Sequence, residues 1–530
     1  MSEFAQALIA EENADTENAL AGYRRALDAD PVYTELALKI AYELARRNDV
    51  PGAIQVLKDA IKAAPKDPSP LVFLSQIYSK HLRKPDLARK YAEQALALSP
   101  DHIPAYAAMV EVSTEAGQLK KAEQFLDRGA RSTSRDPSYW LQLGEIQTRL
   151  WLKEDGVSTP ENLQKMNAVH RKAAELGGDR ETQSKVADFF VLSRQLRDAV
   201  PFYRAALSER SAPSDAATLG LREKLARALL ASGSKEEGVA LLENVTLESP
   251  MRMETVELLA ELYEADGQLE KAVQKYEHTL QIDSSQPRGF LRLAEACIRA
   301  KQADKAVNTM REARRRFPDR PELALSLGIT LSQAKQHEDA LNAFAQAQSE
   351  AEANHEELLN AQFFFQYGAA AEQAARIDKA AELLRRSIEL DPANAAQARN
   401  YLGYMWADRG LHLEEATSLV EKALESDPDN GAFLDSLGWC LFKKGDHERA
   451  LRELLRATGL IKPEDPVVHE HLGDTYEALG KSREALQHWE KSLSLDPENT
   501  TVSEKVRKAK GANAAAANRT GPEASRPQSK

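Results

Sequence analysis

The chain has 530 residues, of which 82 are acidic and 70 basic, so its formal net charge at pH 7 is −12. Only 6% of the residues are aromatic, and glycine and proline recur at regular intervals, a pattern that favours repeats over several globular domains. The negative charge argues against a phosphate-binding surface unless the basic residues are segregated.

Basic residues are segregated only at the end of the chain. Residues 501–530 hold seven basic and two acidic residues, a net charge of +5, which leaves −17 for residues 1–500. The basic segment contains no aromatic residue on which a base could stack, so no nucleic acid is expected as a partner. The repeats themselves are acidic.

Cysteine content and hydropathy suggest a cytoplasmic protein. Cys297 and Cys440 are far apart in helical patterns, so they are predicted to be small core residues and not a disulfide or a metal pair. Residues 1–10 lack the basic segment of a signal peptide, and no apolar run approaches the ~20 residues of a membrane span. We therefore expect a cytoplasmic location, with the periplasm or cell envelope as the alternative if the encoded start lies upstream.

A small residue recurs along the chain at intervals of mostly 34 or 35 residues. Four residues after it there is usually a bulky side chain, such as Tyr23 or Trp489, and twelve residues after it often a proline, such as Pro31. The first spacing places both residues on one helix face, and the proline predicts where that helix ends. These marker residues are Ala19, Ala53, Ala88, Ala122, Ala199, Gly238, Ala272, Ala306, Ala340, Ala380, Ala416, Ala450 and Ala485.

A second small residue lies twelve positions before most markers, as at Ala41, Ala294 and Gly473. Small residues allow two helices to approach closely, so each unit is predicted to be an antiparallel helix pair. One unit is degenerate, with Met166 at the marker position and a loop at residues 153–160 between its helices.

The last unit carries the pattern most completely, at Leu472, Gly473, Tyr476, Gly480, Ala485, Trp489 and Pro497. These residues resemble the motif of the tetratricopeptide repeat almost position for position, and the resemblance extends in phase over about fourteen units from Met1 to roughly Asn499. It implies an all-α fold, a right-handed superhelical solenoid of antiparallel helix hairpins that bury their apolar faces against their neighbours. A looser resemblance, carried by NYLGYMWADRG and DNGAFLDSLGWCLF, is to bacterial many-repeat proteins, often of the cell envelope.

In chain order the repeats fall into three groups and a tail. Residues 1–178 form an N-terminal group that includes the degenerate unit, residues 179–355 a middle group, and residues 356–499 a C-terminal group. Residues 500–530 are basic and, after Lys510, rich in alanine, asparagine, proline and serine without apolar periodicity. This composition predicts a disordered tail.

The sequence offers no motif of catalytic quality, so the chain is not expected to be an enzyme or to need a cofactor or metal. Gly480–Ser482 lacks the preceding glycine of a phosphate-binding loop and lies in a turn between two helices. His469 and His471 are two positions apart on a helix and point in different directions, so we expect surface histidines and no zinc site.

The resemblance implies that the first helix of each unit lines a concave groove, with exposed positions one after and three or four away from its small residue. A groove with aromatic residues and a carboxylate rim would hold a peptide with an apolar anchor beside lysine or arginine. The alternative is that Trp439 and Phe442 pack against the neighbouring hairpin. The predicted partner-binding residues are Asn400, Tyr404, Asp435, Trp439, Phe442, Glu470, Asp474 and Glu477.

A second acidic stripe consists of Glu254, Glu257, Glu261 and Glu264, predicted to be a solvated face or a site for a basic ligand. The carboxylate clamp of chaperone-binding members of the family would need Lys and Asn where Glu257 and Glu261 stand, although Arg288 and Arg292 are present in the next unit. The expected function is therefore an interaction scaffold for a basic or neutral protein or peptide. The alternative is a structural or trafficking component of the bacterial cell envelope.

Overall fold

The computed structural model describes residues 3–13, 15–208 and 215–519, and in these residues the secondary structure is helical throughout. A single short 3-10 segment, Glu356–Leu358, accompanies the α-helices. The helices are α1 (Glu3–Glu12), α2 (Thr16–Ala29), α3 (Thr34–Arg46), α4 (Val50–Ala63), α5 (Ser69–Lys80), α6 (Pro85–Leu98), α7 (Ile103–Glu115), α8 (Leu119–Gly129), α9 (Pro137–Trp151), α10 (Pro160–Leu176), α11 (Arg180–Leu192), α12 (Leu196–Leu207), α13 (Ala216–Ala231), α14 (Lys235–Glu248), α15 (Met253–Ala265), α16 (Leu269–Ile282), α17 (Pro287–Arg299), α18 (Ala303–Arg316), α19 (Pro321–Gln333), α20 (His337–Asn354), α21 (Ala361–Gln373), α22 (Ile377–Leu390), α23 (Ala396–Asp408), α24 (Leu413–Ser426), α25 (Gly431–Lys443), α26 (His447–Leu460), α27 (Pro466–Ala478), α28 (Ser482–Leu495) and α29 (Thr500–Arg519).

The helices α1 to α28 form fourteen hairpins, each made of an odd-numbered first helix and the even-numbered helix that follows it. First helices of adjacent hairpins also contact one another, as α3 contacts α5 and α25 contacts α27. Within each unit, we call the surface formed by its first helices the first-helix face of that unit. The chain divides into two compact units, residues 1–255 and 256–530. The three repeat groups ending at residues 178, 355 and 499 stay a prediction.

The recurring small residues lie where the two helices of a hairpin meet, as predicted. All thirteen markers are buried on second helices, most of them with no exposed surface, as at Ala53 and Ala272. At twelve of the markers a larger apolar residue four positions later is also buried; Leu57 and Tyr276 are at most 2% exposed. At Ala88 this position is the small Ala92. Because thirteen of the fourteen hairpins carry this small residue, the cores of the described units are built largely from the same positions.

The turns within the hairpins depend on one residue with a left-handed backbone. In several turns it is glycine, such as Gly267 with φ of 70°, which adopts this conformation without steric cost. In other hairpins the same place is taken by Lys301 or Ala375, at φ of 58° and 57°. The tight turn keeps the two helices antiparallel.

The degenerate unit folds as a hairpin in spite of its missing small marker. Met166 is fully buried between α9 and α10, and the predicted insertion runs between Trp151 and Pro160. Close approach is provided here by Gly144, where an added Cβ would lie 2.6 Å from Cε1 of His170. The long step between Ala340 and Ala380 arises from an 18-residue α20 and the 3-10 segment.

The basic segment differs from the predicted disordered tail. Residues 500–519 form α29, in which Val502 and Val506 are buried against Ala485 and Trp489. The physical reason is that two valines four positions apart share one helix face and cover the exposed side of the last hairpin. Residues 520–530 of the predicted tail lie outside the described residues.

Both cysteines are core residues, as predicted. Cys297 on α17 and Cys440 on α25 have no exposed surface and are unpaired. Within the described ranges, no helix is both long and apolar enough to cross a bilayer.

Candidate functional site

The residues predicted to bind a partner lie on three consecutive first helices of the second unit. Asn400 and Tyr404 lie on α23, Asp435, Trp439 and Phe442 on α25, and Glu470, Asp474 and Glu477 on α27. Because α23 contacts α25 and α25 contacts α27, these side chains belong to one stretch of the first-helix face. Their environments differ sharply.

Trp439 is a packing residue. Only 7% of it is exposed, and its ring stacks on His471 at a centroid distance of 4.0 Å and on Phe442 at 4.9 Å. Asp435 is also buried and lies 2.9 Å from Nδ1 of His471, which fixes that ring against the indole. For Trp439, the geometry corresponds to the alternative in which the aromatic side chain packs against the neighbouring hairpin.

The prediction of surface histidines is wrong for both His469 and His471, which are 7% and 4% exposed. The two rings do point in different directions: His471 faces α25, and Nδ1 of His469 lies 3.1 Å from Nδ1 of His488 on α28. Burial lowers the pKa of His469, against the opposing effect of Glu464, and also that of His488. Two positions on one helix can both be buried here because α27 has neighbours on two sides.

The carboxylates of the last hairpin are already paired with a lysine of this chain. Lys505 on α29 donates to Glu470 at 2.9 Å and to both oxygens of Asp474 at 2.7 Å. Asp474 also accepts the indole N–H of Trp489 at 2.9 Å. Only Glu477 of this group is fully open to solvent.

Tyr404 and Asn400 are half-buried on α23. Burial raises the pKa of Tyr404, and the nearby carboxylates Asp408 and Asp435 add to the effect, so the phenol stays neutral at physiological pH. Oδ1 of Asn400 is buried and has no hydrogen-bond partner within the described part of the chain. Of the eight predicted residues, Asp435 and Trp439 are buried and Glu477 is exposed. The other five are half-buried: Asn400, Tyr404, Phe442, Glu470 and Asp474.

The second acidic stripe is largely neutralised by arginines one repeat later. In the second unit, Arg292 lies 3.1 Å from Glu257 and 2.5 Å from Glu261. Glu264 pairs with Arg299 and accepts the hydroxyl of Tyr276 at 2.8 Å. Glu254, in the first unit, is exposed. Glu257, Glu261 and Glu264 are thus already paired with arginines of this chain, although Glu261 remains exposed to solvent.

The first unit has an open depression on its first-helix face that the sequence analysis missed. It has a volume of about 490 Å³ and lies between α3, α5 and α7. Tyr42 is 59% exposed beside it. Its lining consists of Leu38, Lys39, Tyr42, Ser69, Val72, Phe73, Gln76, His102 and Pro104.

The depression has little free charge. Lys39 is held by Glu11 at 2.6 Å and by the hydroxyl of Tyr23 at 2.9 Å. Burial lowers the pKa of His102, against the opposing effect of Asp67, so its ring is neutral at pH 7. The depression therefore suits an uncharged, apolar side chain. Its sequence signal was Tyr42 directly after the small Ala41, the same offset that drew attention to Tyr404 after Gly403.

A larger recess of about 950 Å³ lies in the second unit beside the lengthened α20. Its lining includes Glu352 and Glu356 on one side, Arg386 on the other, and the edge of Trp406. Trp406 is covered by Arg385, whose guanidinium lies 4.9 Å from the ring centre. The recess is a consequence of the inserted residues between Ala340 and Ala380.

Comparisons with known proteins agree with the repeat pattern. Three tetratricopeptide-repeat family models match the chain, at residues 82–144 and 263–329, at residues 406–503, and at residues 4–68, 223–287 and 368–431. The TPR repeat-containing protein PA4667 of Pseudomonas aeruginosa is 27% identical over 187 residues, which are 35% of this chain and 30% of that relative. The chain therefore spans less than a third of the length of that relative.

Among solved structures, a tetratricopeptide repeat protein from Parabacteroides merdae matches at 14% identity and a TM-score of 0.41. The match covers 48% of this chain and 98% of that one. The APC/C hetero-tetramer Cut9–Hcn1 matches 88% of this chain and 95% of its own, at 14% identity and a TM-score of 0.39. Together, the family models cover more than half of the sequence. The chain belongs to the tetratricopeptide-repeat family.

Proposed function

We propose that this chain is a non-catalytic interaction scaffold that binds a peptide segment of a partner protein on its first-helix face. Tetratricopeptide repeats support a role in protein interaction in general. The finer assignment concerns where the segment binds and what chemistry it carries.

One observation carries the proposal: Tyr42 is 59% exposed beside an open depression between three first helices, and the one lysine of that depression, Lys39, is already paired with Glu11. Large aromatic residues exposed next to a pocket supply much of the binding energy at peptide interfaces, because a pocket that a side chain can fill excludes water from both partners. Val72 and Phe73 provide apolar walls, and Gln76 offers an amide for the peptide backbone.

The partner segment that fits is uncharged at its anchor and carries one bulky apolar side chain. This retains the neutral, apolar-anchored peptide expected from the sequence. It does not require a basic peptide, because five of the carboxylates that suggested one are paired with Lys505, Arg292 or Arg299. Glu254 and Glu477 stay exposed. We also propose that the same kind of peptide makes a second, weaker contact around Tyr404, Phe442 and Glu477.

To test the proposal, peptides that bind the full-length chain are selected from a displayed random library. The affinities of the selected sequences are then measured with soluble peptides. We expect the selected peptides to share a bulky apolar residue and to lose about 30-fold in affinity on Tyr42→Ala, corresponding to the ~2 kcal/mol of a binding hot spot. Binding should change little between low and high salt, because the depression has no unpaired charge. Leu247→Ala, which truncates a residue that is 79% exposed, is the matched control.

Equal affinity for wild type and Tyr42→Ala would refute the depression as the anchor site. If the affinity dropped only for Tyr404→Ala, the partner segment would bind on α23 instead. Circular dichroism on each variant checks that the helices are retained.

A further inference from the structure

The helix α29 occupies the end face of the last hairpin, which we define as the surface formed by Glu470, Asp474, Ala485 and Trp489. Val502 has no exposed surface and Val506 is 7% exposed, and both pack on Ala485 and Trp489. The helix therefore lies where the first helix of a further repeat would lie.

The ionic contact of α29 repeats one found inside the second unit. Lys505 binds Glu470, 35 positions earlier, and Asp474, 31 positions earlier. Arg292 binds Glu257 and Glu261 at the same two separations. In both helices the basic residue directly precedes a buried aliphatic one, Val506 in α29 and Leu293 in α17.

The end face thus recognises a defined pattern in a helix. Two aliphatic residues four positions apart enter the apolar part, and a lysine directly before the second one reaches the two carboxylates. Burial alone would lower the pKa of Lys505, but its hydrogen bonds to Asp474 and Glu470 outweigh this and raise the pKa. The ammonium is therefore held in its charged form by the end face.

The docking of α29 is lighter than that of a complete first helix. Six residues of α27 are buried, whereas Val502 and Val506 are the two buried residues among the described side chains of α29. Its outward side carries charged residues such as Arg507 and Lys508, and no second helix covers it in the described chain. Besides the two valines and Lys505, the partly buried Ala509 packs on the same cluster, and Nζ of Lys510 lies 2.7 Å from Glu490 on α28. A helix held by so few buried side chains can be exchanged for another helix of the same pattern.

We propose that the end face of the last hairpin is a docking site for a partner helix carrying an aliphatic residue at i and i+4 and a lysine at i+3, and that α29 is its resident, competing occupant. The proposal rests on the interaction role proposed above but concerns a separate place on the molecule. A tether gives α29 an effective concentration of the order of 1 mM, so a partner helix must bind more tightly than α29 or arrive when α29 is displaced.

The probe is a fluorescent synthetic peptide of residues 499–511 of this chain, added to the full-length protein and followed by fluorescence anisotropy. With wild type, α29 competes, and we expect at least tenfold weaker binding than with a Lys505→Glu full-length variant, whose α29 is repelled by Glu470 and Asp474. Lys508→Glu changes the charge on the outward side of α29 and is the matched control; it should behave like wild type. A peptide carrying Lys505→Glu should fail to bind any of these proteins.

A second full-length variant, Val502→Ser with Val506→Ser, releases α29 through its apolar contacts and should bind the same probe equally well. Hydrogen exchange of the wild-type protein provides a test without substitutions: amides of α29 should exchange much faster than those of α27 and α28.

The proposal is overturned if neither variant binds the probe while circular dichroism shows them folded, or if α29 and α27 exchange at the same rate. Binding of the Lys505→Glu peptide as tightly as the unmodified one would also overturn it. Binding of the peptides selected for the depression beside Tyr42 is measured separately. A negative result at one of the two sites therefore does not affect the conclusion about the other.

Discussion

His170 makes the stability of the degenerate hairpin dependent on pH in a direction that the structure fixes. The residue is 3% exposed, and its ring stacks on Phe189 at a centroid distance of 3.6 Å. Its Nδ1 lies 2.8 Å from the carbonyl oxygen of Met166. Burial lowers the pKa of His170 to about 4, although the hydrogen bond to Met166 favours the charged form. The native protein therefore keeps this imidazole neutral.

The magnitude follows from the difference between the folded and unfolded pKa. An unfolded histidine titrates near pH 6.5, so the two values differ by about 2.5, and at about 1.4 kcal/mol for each unit this amounts to about 3 kcal/mol. Between pH 6.5 and 4 the unfolded chain binds the proton and the native chain does not. The stabilisation is complete above pH 6.5, is lost progressively down to pH 4, and changes no further below that.

The assay compares wild type with His170→Asn, which removes the titrating group, by urea denaturation at several pH values between 7 and 4. The difference between their free energies of unfolding should shrink by about 3 kcal/mol over this range, because the carboxylates titrate equally in both and cancel. His81→Asn, at an exposed histidine, controls for the loss of one imidazole. A difference that stays constant with pH, or a His170 proton resonance that titrates near pH 6.5, would refute the reasoning.

Two further predictions concern the packing of the hairpins. Gly473→Ala would place its Cβ 2.3 Å from Cδ1 of Trp489, so we expect a loss of about 1–3 kcal/mol in the free energy of unfolding, measured with urea. Gly459→Ala meets no atom within 4 Å and should instead be neutral or stabilise by up to about 1 kcal/mol; similar losses for both would contradict the argument. Burial raises the pKa of Cys297 to about 11 and that of Cys440 to about 12, so neither thiol should react with an alkylating reagent at pH 8 until urea unfolds the chain, and rapid labelling of the native protein would show the assignment to be wrong.

The repeat could be predicted from the sequence because its determinants are local. The small residue, the bulky residue four positions later and the terminal proline all act within one helix, and Ala53, Leu57 and Pro65 illustrate the pattern. The same locality explains why Met166 could be placed at a marker position without a small side chain. These features need no knowledge of which hairpins are neighbours.

The candidate site could be predicted only in part, because exposure on a first helix depends on residues one repeat away. Trp439 lies at the predicted position but is covered by His471, which is 32 positions later in the sequence. His471 was expected on the surface because its partner Asp435 could not be identified from its own helix. Conversely, Tyr42 is open because no side chain of comparable size covers it within the described chain.

The net charge of the sequence is a poor guide to how many carboxylates are free to bind a partner. The repeats carry a large excess of acidic residues, yet many carboxylates of first helices bind a basic residue about one repeat later. Such pairs are Asp188 with Lys224, Glu223 with Arg252, Glu261 with Arg292, and Glu470 with Lys505, at separations of 36, 29, 31 and 35 positions.

These pairs change what the acidic composition can mean for partner choice. Each exposed or half-exposed pair contributes only about 0–1 kcal/mol to stability, but a cationic ligand must displace the resident arginine or lysine before it gains a carboxylate. The net gain of such an exchange is small unless the ligand adds apolar contacts of its own. We therefore expect a partner to be selected mainly by its shape and apolar surface, as beside Tyr42. Charge should matter only where the cation already bound to a carboxylate belongs to a lightly docked helix, as Lys505 does.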